Sequence, residues 1–125
     1  MRLLLDSHVF IWCKAEDPRL SPAMVRTIAE ADEVYVSAAS AWEISTKARL
    51  GKLRFTGSLA ARIEKYDVRA LSVTVEHGWA AGILPPIHRD PFDRILVAQA
   101  KLEELIVVTA DPMFARYGVP VFATA

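Results

Sequence analysis

The sequence is short of several features that mark particular classes of protein. Cys13 is its single cysteine, which excludes a disulfide framework and a cysteine zinc site and agrees with a reducing compartment. No apolar run approaches the ~18–20 residues that a membrane span needs, and the apolar start meets Asp6 too early for a signal peptide. We therefore expect a cytoplasmic protein with no membrane segment.

Neither sign of charge is in excess. Fifteen basic residues balance fifteen acidic ones, which argues against a histone-like protein that wraps nucleic acid through surplus positive charge. The length of 125 residues is typical of one domain, and a hydrophobic content of 53% is enough for a packed core. The composition therefore excludes disorder and predicts a single domain over residues 1–125.

Short apolar runs alternate with stretches of helical spacing. The runs at 3–5, 34–36, 70–73, 106–109 and 119–122 do not alternate with polar residues, which is typical of strands buried on both faces of a parallel sheet. Capping signals predict helices over 22–31, 40–50, 58–66, 75–84 and 92–104, and a short last one after Asp111. This order predicts an α/β fold, in which a mainly parallel central sheet of four or five strands is flanked by helices on both faces.

Four acidic residues fall where such a sheet would gather them. They come after two of the strands and near the starts of two of the helices: Asp6, Asp111, Glu43 and Asp93. Because ligands of an open α/β sheet bind beyond the carboxyl ends of the strands, these side chains can reach one rim of the sheet.

Helix capping is the alternative interpretation of each acid. Ser40-x-x-Glu43 matches a capping box, and the segment from Asp90 to Asp93 resembles its Asp-led relative. Taken singly, capping is the stronger interpretation, but converging carboxylates repel one another and raise each other's pKa unless a cation joins them. Hard oxygen donors without a cluster of Cys or His suit Mg²⁺ or Mn²⁺ rather than zinc. The three histidines are interpreted as surface or core residues.

The same residues carry a resemblance to a known family. The matching motifs, in chain order, are Leu3-Leu4-Leu5-Asp6-Ser7-His8, Ser37-Ala38-Ala39-Ser40-Ala41-Trp42-Glu43-Ile44, Asp90-Pro91-Phe92-Asp93-Arg94-Ile95-Leu96-Val97-Ala98-Gln99-Ala100 and Val108-Thr109-Ala110-Asp111. Over nearly the whole chain, their order and spacing resemble PIN-domain proteins, and specifically the VapC-type toxins of bacterial toxin–antitoxin pairs.

This resemblance implies an activity, a site and partners. It implies a ribonuclease that depends on one or two Mg²⁺ ions, with Mn²⁺ as a substitute, and that is commonly a homodimer. A VapB-type antitoxin would inhibit it by covering the site with a C-terminal tail. The implied catalytic and metal-binding residues are Asp6, Glu43, Asp93 and Asp111, with supporting roles for Ser7, Asp90 and Thr109.

An RNA substrate must also be held beside these acids. No acidic residue falls between Glu43 and Glu64, and we expect the basic residues of this stretch, together with one at the acidic helix, to contact flanking phosphates: Lys47, Arg49, Lys52, Arg54 and Arg94. Solvated charges and an ordinary i,i+4 helix pair are the alternative interpretation.

The aromatic residues are interpreted mainly as packing residues. Val75, Trp79 and Ile83 are spaced four residues apart, so they lie on one face of a helix. This spacing predicts that Trp79 packs in the core. Trp42 points away from Glu43 on the helix, and we expect it in the core or at a dimer interface.

Other functions are weighed against this one. A PIN-like module that binds RNA with little catalysis remains open, and so does a DNA or structure-specific nuclease, because carboxylates do not read the 2′-hydroxyl of RNA. A signalling receiver domain is disfavoured because Asp6 has no acidic neighbour and the strand 70–73 leads to no Asp. A dehalogenase-like phosphatase would need an Asp where His8 stands, and there is no glycine fingerprint for a dinucleotide.

Overall fold

The five predicted strands form one sheet. The computed structural model describes residues 1–15 and 17–124, apart from the side chains of residues 14 and 15. Neighbouring strands are parallel throughout this sheet, and their spatial order is β3-β2-β1-β4-β5. The strands are β1 (Arg2–Leu5), β2 (Glu33–Ser37), β3 (Arg69–Leu71), β4 (Ile106–Thr109) and β5 (Val121–Ala123).

Helices connect the strands and cover both faces of the sheet. They are α1 (Ser7–Ala15), α2 (Pro22–Glu30), α3 (Ala38–Arg49), α4 (Leu59–Lys65), α5 (Val75–Ile83) and α6 (Pro91–Glu103), and a 3-10 turn spans Phe114–Tyr117. Within the described residues, no helix is long and apolar enough to cross a membrane. The predicted α/β fold, with a parallel sheet between helices, is confirmed.

The central strand shows why the apolar runs are unbroken. Leu3 and Leu5 of β1 point into a core that they share with Phe10 of α1 and Ile28 of α2. Leu4 points to the opposite face, where it packs in a second core with Leu96 of α6. Successive side chains of a strand point to opposite faces, so a strand covered on both sides needs apolar residues at every position.

The helix that carries Glu43 begins earlier than predicted. Ser37 continues β2, where it pairs with Leu71 of β3, and its Oγ accepts the backbone N–H of Ala39 at 3.0 Å. Ser37 is therefore the N-cap of α3, and the predicted capping box of Ser40 and Glu43 is wrong. Both serines suit a cap, and the strand pairing, which keeps Ser37 extended, selects between them. Glu43 consequently lies in the second turn, free of a capping role.

Helix α5 is rotated differently from the prediction. Val75, Trp79 and Ile83 form an exposed apolar stripe, and their exposed fractions are 86%, 74% and 70%, so the prediction that Trp79 packs in the core is wrong. The buried face of α5 instead carries His77, whose Nε2 lies 2.9 Å from Oε1 of Glu103 on α6. The hydrogen-bonding histidine, rather than the apolar residues, faces α6.

Candidate active site

Five acids line one cleft at the carboxyl ends of the strands. The cleft has a volume of about 500 Å³ and contains Asp6, Glu43, Asp93 and Asp111, together with Asp90. Asp6 directly follows β1, and Asp111 follows the neighbouring strand β4 after one residue. Glu43 and Asp93 reach the same cleft from α3 and α6. The structure thus brings together the four acids that the sequence analysis singled out.

Asp6 is held by a residue of the adjacent strand. Leu5 of β1 pairs with Val108 of β4, so the next residue along β4, Thr109, lies beside Asp6. The Thr109 hydroxyl donates to Oδ2 of Asp6 at 2.7 Å, and both residues are buried. Burial raises the pKa of Asp6, the Thr109 hydroxyl opposes that rise, and the nearby Glu43 charge adds to it. Thr109 therefore orients the Asp6 carboxylate and favours its charged form against the effect of burial.

Glu43 is fixed by two donors. The buried Ser7 hydroxyl donates to Oε1 of Glu43 at 2.7 Å, and Lys47, one turn further along α3, pairs with Oε2 at 2.5 Å. Ser7 is the first residue of α1 and directly follows Asp6 in the sequence. Its hydrogen bond to Glu43 therefore brings Glu43 close to the segment that carries Asp6. The i,i+4 pair considered in the sequence analysis is present, and Lys47 also lines the cleft.

Asp93 has the most perturbed ionisation in the cleft. Burial, together with the charges of four neighbouring carboxylates, raises the pKa of Asp93 to about 8; these carboxylates belong to Asp6, Asp90, Glu43 and Asp111. Asp93 therefore holds a proton at pH 7 where an isolated aspartate would not. The cleft concentrates more negative charge than its own basic groups neutralise, which is the condition for binding a divalent cation.

Comparison with known proteins identifies the family of this chain. Residues 3–120 match the family model of the PIN domain. The chain belongs to the PIN-domain family. It is 33% identical over 112 residues to ribonuclease VapC22 of Mycobacterium tuberculosis, an alignment that covers 87% of this chain and 86% of that relative. The resemblance found in the sequence motifs is confirmed.

Solved structures share the fold of this PIN domain. One is the crystal structure of VapBC2 from Rickettsia felis bound to a DNA fragment from their promoter, with a TM-score of 0.71, 12% identity and full coverage of both chains. Another is FitAcB from Neisseria gonorrhoeae, with a TM-score of 0.68 and 23% identity, covering 98% of this chain and 97% of that one.

One residue of the PIN domain cleft was missed in the sequence. His88, interpreted above as a surface or core residue, places Nε2 2.9 Å from Oδ2 of Asp93 and 2.9 Å from Oδ2 of Asp111. These three residues each offer a metal-ligating atom, and the atoms lie within 4.8 Å of one another. The available signal in the sequence was that His88 stands two residues before Asp90. His88 lies in a loop, however, and a loop has no periodicity from which the direction of a side chain can be predicted.

Asp90 caps the helix that carries Asp93. Its Oδ1 accepts the backbone N–H of Phe92 at 2.8 Å and that of Asp93 at 3.3 Å. Asp111 has a comparable turn contact, because its Oδ1 accepts the N–H of Met113 at 2.9 Å. The short helix predicted directly after Asp111 is instead the 3-10 turn that begins at Phe114.

Arg94 has a structural role in place of the RNA contact that we predicted. Its guanidinium donates to the carbonyl oxygens of Ala81 at 2.8 Å, Leu84 at 2.9 Å and Pro85 at 3.0 Å. These carbonyls lie at and beyond the C-terminus of α5, where helix carbonyls lack intrahelical partners. The Arg94 guanidinium is committed to joining α5 to α6, and we no longer expect it to bind phosphate.

The other predicted basic residues divide into two groups. Lys47 lies in the cleft, whereas Arg49, Lys52 and Arg54 are exposed and lie outside its lining. The cleft also contains Arg19, a residue without a motif that would have identified it, whose guanidinium lies 4.6 Å from the ring centroid of Trp12. Positive charge thus borders the acids from α3 and from the segment between α1 and α2, where Arg19 also pairs with Asp17 at 2.7 Å.

Proposed function

We propose that this PIN domain is the toxin of a VapBC-type toxin–antitoxin pair and hydrolyses RNA phosphodiester bonds with Mg²⁺ or Mn²⁺. The observation that carries the proposal is the convergence of five carboxylates in one cleft, where burial and the charges of the neighbouring acids together raise the pKa of Asp93 to about 8. The relative that is 33% identical is a ribonuclease, which supports hydrolysis of RNA as the reaction. The reaction would take place in the cytoplasm.

The donor set fits a hard divalent cation. Asp6, Glu43 and Asp93 offer carboxylate oxygens from three different elements, with Asp111 as the fourth acid, and Mg²⁺ and Mn²⁺ prefer oxygen donors. The cleft has room for one or two ions and a phosphodiester group. When bound, such an ion stabilises the negative charge that develops on the phosphate oxygens and makes water more acidic.

The chain's own residues prepare the cleft for that ion. Thr109 and Ser7 each direct one carboxylate from a distance of 2.7 Å, so two of the donors are oriented before anything binds. Lys47 offsets one negative charge at the wall of the cleft. Asp93 gives up its proton when a cation takes the place of that proton among the acids, so ion binding releases a proton near neutral pH.

The substrate would be held by charges around the acids. We propose that Lys47 contacts a phosphate near the cut and that Arg49, Lys52 and Arg54, which are exposed after the C-terminal half of α3, contact phosphates farther away. Arg19, whose guanidinium lies 4.6 Å from the centroid of the Trp12 ring, lines the same cleft and offers another contact.

A VapB-like antitoxin is the proposed protein partner. Beside the acidic cleft lies an apolar groove of about 680 Å³, which shares Trp12 with the cleft and includes Leu20 and Val25. A peptide with apolar side chains in the groove and a basic side chain over the acids would bury the cleft. The product of a neighbouring gene should co-purify with the toxin and inhibit it, and failure to do either contradicts this partner.

We also propose a homodimer that forms through α5. Val75, Trp79 and Ile83 expose a continuous apolar stripe beside Gly78 and Gly82. A Cβ at either glycine would meet no atom within 4 Å, so packing inside the described chain does not explain these residues, although each costs about 1 kcal/mol in a helix. A second copy can approach closely there, and Trp79→Glu should convert a dimer into a folded monomer in light scattering.

The reaction is tested with purified protein and end-labelled RNA. We expect an excess of EDTA to abolish cleavage and Mg²⁺ or Mn²⁺ to restore it. Asp6→Asn and Glu43→Gln should be inactive, while Glu64→Gln, an exposed acid outside the cleft, keeps full activity. Cleavage by pure protein in excess chelator would overturn the proposed chemistry.

The same assay separates the two alternatives. A PIN-like module without catalysis would bind the RNA and leave it intact with either metal. A DNA nuclease would cut a DNA of the same sequence in preference to the RNA.

A further inference from the structure

His88 is held rigidly at the mouth of the cleft. It lies on the loop between α5 and α6, where its backbone N–H donates to the hydroxyl of Tyr117 at 2.7 Å and its carbonyl accepts from Arg94 at 3.3 Å. The ring meets that of Phe114 edge-on, with 6.4 Å between centroids. The imidazole therefore has a defined orientation toward the acids.

The hydrogen bonds of the ring identify which nitrogen carries the proton. Nδ1 accepts the backbone N–H of Asp90 at 3.2 Å, so Nδ1 is unprotonated and the neutral ring carries its proton on Nε2. Nε2 then donates to Oδ2 of Asp111 at 2.9 Å and also lies 2.9 Å from Oδ2 of Asp93. A histidine that ligates a metal through one nitrogen normally donates from the other nitrogen to an acceptor, whereas here the other nitrogen faces a donor.

The role of His88 matches that of two other donors in the cleft. Thr109 donates to Asp6, and Ser7 donates to Glu43, both at 2.7 Å. His88 does the same for Asp111, and the same nitrogen lies 2.9 Å from Oδ2 of Asp93.

We propose that His88 is a positioning residue, which holds Asp93 and Asp111 in the geometry that binds the divalent cation and does not itself ligate the ion. This inference rests on the proposed metal-dependent function. It contrasts with the alternative in which His88, Asp93 and Asp111 form a mixed nitrogen and oxygen metal site. The two alternatives differ in whether a nitrogen atom is bonded to the metal.

The experiment uses Mn²⁺ as the probe and has two readouts. Electron paramagnetic resonance titrations give the affinity of the full chain for Mn²⁺, and the pulsed form of the method detects a directly bonded imidazole nitrogen. We expect no such nitrogen signal in the wild type. His88→Ala should weaken Mn²⁺ binding by about 10- to 100-fold, as is usual for the loss of an orienting partner. His88→Gln, whose amide N–H can occupy the position of Nε2–H, should stay within about 3-fold of the wild type because it restores the donor.

His8 provides a matched control. It lines the same cleft, and within the described residues its ring makes no hydrogen bond to a carboxylate, so His8→Gln should leave Mn²⁺ affinity within about 3-fold.

Each outcome decides the inference. A directly bonded nitrogen signal in the wild type, lost in His88→Ala, would overturn the positioning role and leave the metal-dependent function standing. Equal Mn²⁺ affinity of the wild type and His88→Ala would also overturn it, and so would equal weakening in the Ala and Gln variants. If His88→Ala does not fold, the wild-type spectrum and His88→Gln decide the question. Absence of Mn²⁺ binding by the wild type would refute the proposed function itself.

Discussion

Asp93→Asn should stabilise the ion-free protein while it abolishes activity. Burial and four neighbouring carboxylates raise the pKa of Asp93 from 3.8 to about 8. Because the folded pKa is above the unfolded one, the folded state loses stability as pH rises from about 4 to about 8, and the penalty at pH 7 is on the order of 4 kcal/mol at 1.36 kcal/mol per pKa unit. Asparagine has no such penalty, since it stays neutral and its amide can donate to the surrounding oxygens.

The expected gain is close to the full penalty. Asp93 lies in the first turn of α6, where a negative charge is favoured by roughly 0.3–1 kcal/mol, but the protonated carboxyl of the wild type carries almost none of that charge at pH 7. We therefore expect Asp93→Asn to raise the free energy of unfolding at pH 7 by about 2–4 kcal/mol, or the Tm by roughly 10 °C for a domain of this size. The gain should shrink to about a third at pH 5, where little of the penalty remains.

The assay is urea and thermal unfolding in EDTA at pH 5, 7 and 8.5, repeated with saturating Mg²⁺. Added Mg²⁺ should stabilise the wild type more than Asp93→Asn, because the ion binds the native carboxylate cluster. Glu64→Gln, on the exposed face of α4, should change stability by less than about 0.5 kcal/mol. If Asp93→Asn lowered the ion-free stability at pH 7 and 8.5, Asp93 would be a structural residue of α6, and repulsion among the acids would not explain the cleft.

Three further predictions follow from other contacts. Ser7→Ala removes the donor to the buried Glu43 and should cost about 1–3 kcal/mol in ion-free stability and about 10-fold or more in metal affinity, measured by denaturation and titration; unchanged affinity would contradict an orienting role. Arg94→Ala should lower stability by about 1–3 kcal/mol because partly buried carbonyls lose their donor, and Arg94→Lys should recover only part of this in the same denaturation assay. Loss of RNA affinity with unchanged stability would favour the earlier phosphate interpretation. The double variant Lys52→Ala/Arg54→Ala should reduce the slope of log RNA affinity against log salt by roughly 1.4, about 0.7 for each phosphate contact on single strands, and an unchanged slope would exclude these two contacts.

Local patterns predicted much of the fold. Every apolar run that was interpreted as a strand contributes to the sheet, with shifts of one or two residues at the ends, because strands buried on both faces need apolar residues without alternation. The start of α6 at Asp90-Pro91 could also be predicted from a local pattern, because the N-cap and the proline both act within one turn of the helix.

Errors arose where two local signals competed. Ser37 and Ser40 can both cap a helix, and the pairing of Ser37 with Leu71, a residue more than thirty positions away, decides between them. The spacing of Val75, Trp79 and Ile83 has helical period, which identifies an apolar face but does not say whether that face meets this chain or another one. The hydrogen bond of His77 to Glu103 settled the rotation of α5.

The sequence alone was sufficient for the α/β class and for the four acids of the candidate site, because parallel strands bring their carboxyl ends to one edge whatever lies between them. The tertiary structure was needed for the donors around those acids. Thr109 reaches Asp6 through the register of β1 and β4, and His88 reaches Asp93 through a loop that Arg94 and Tyr117 hold in place. These contacts depend on the direction of single side chains across distant parts of the chain, and the periodicity of a sequence carries no information about such directions.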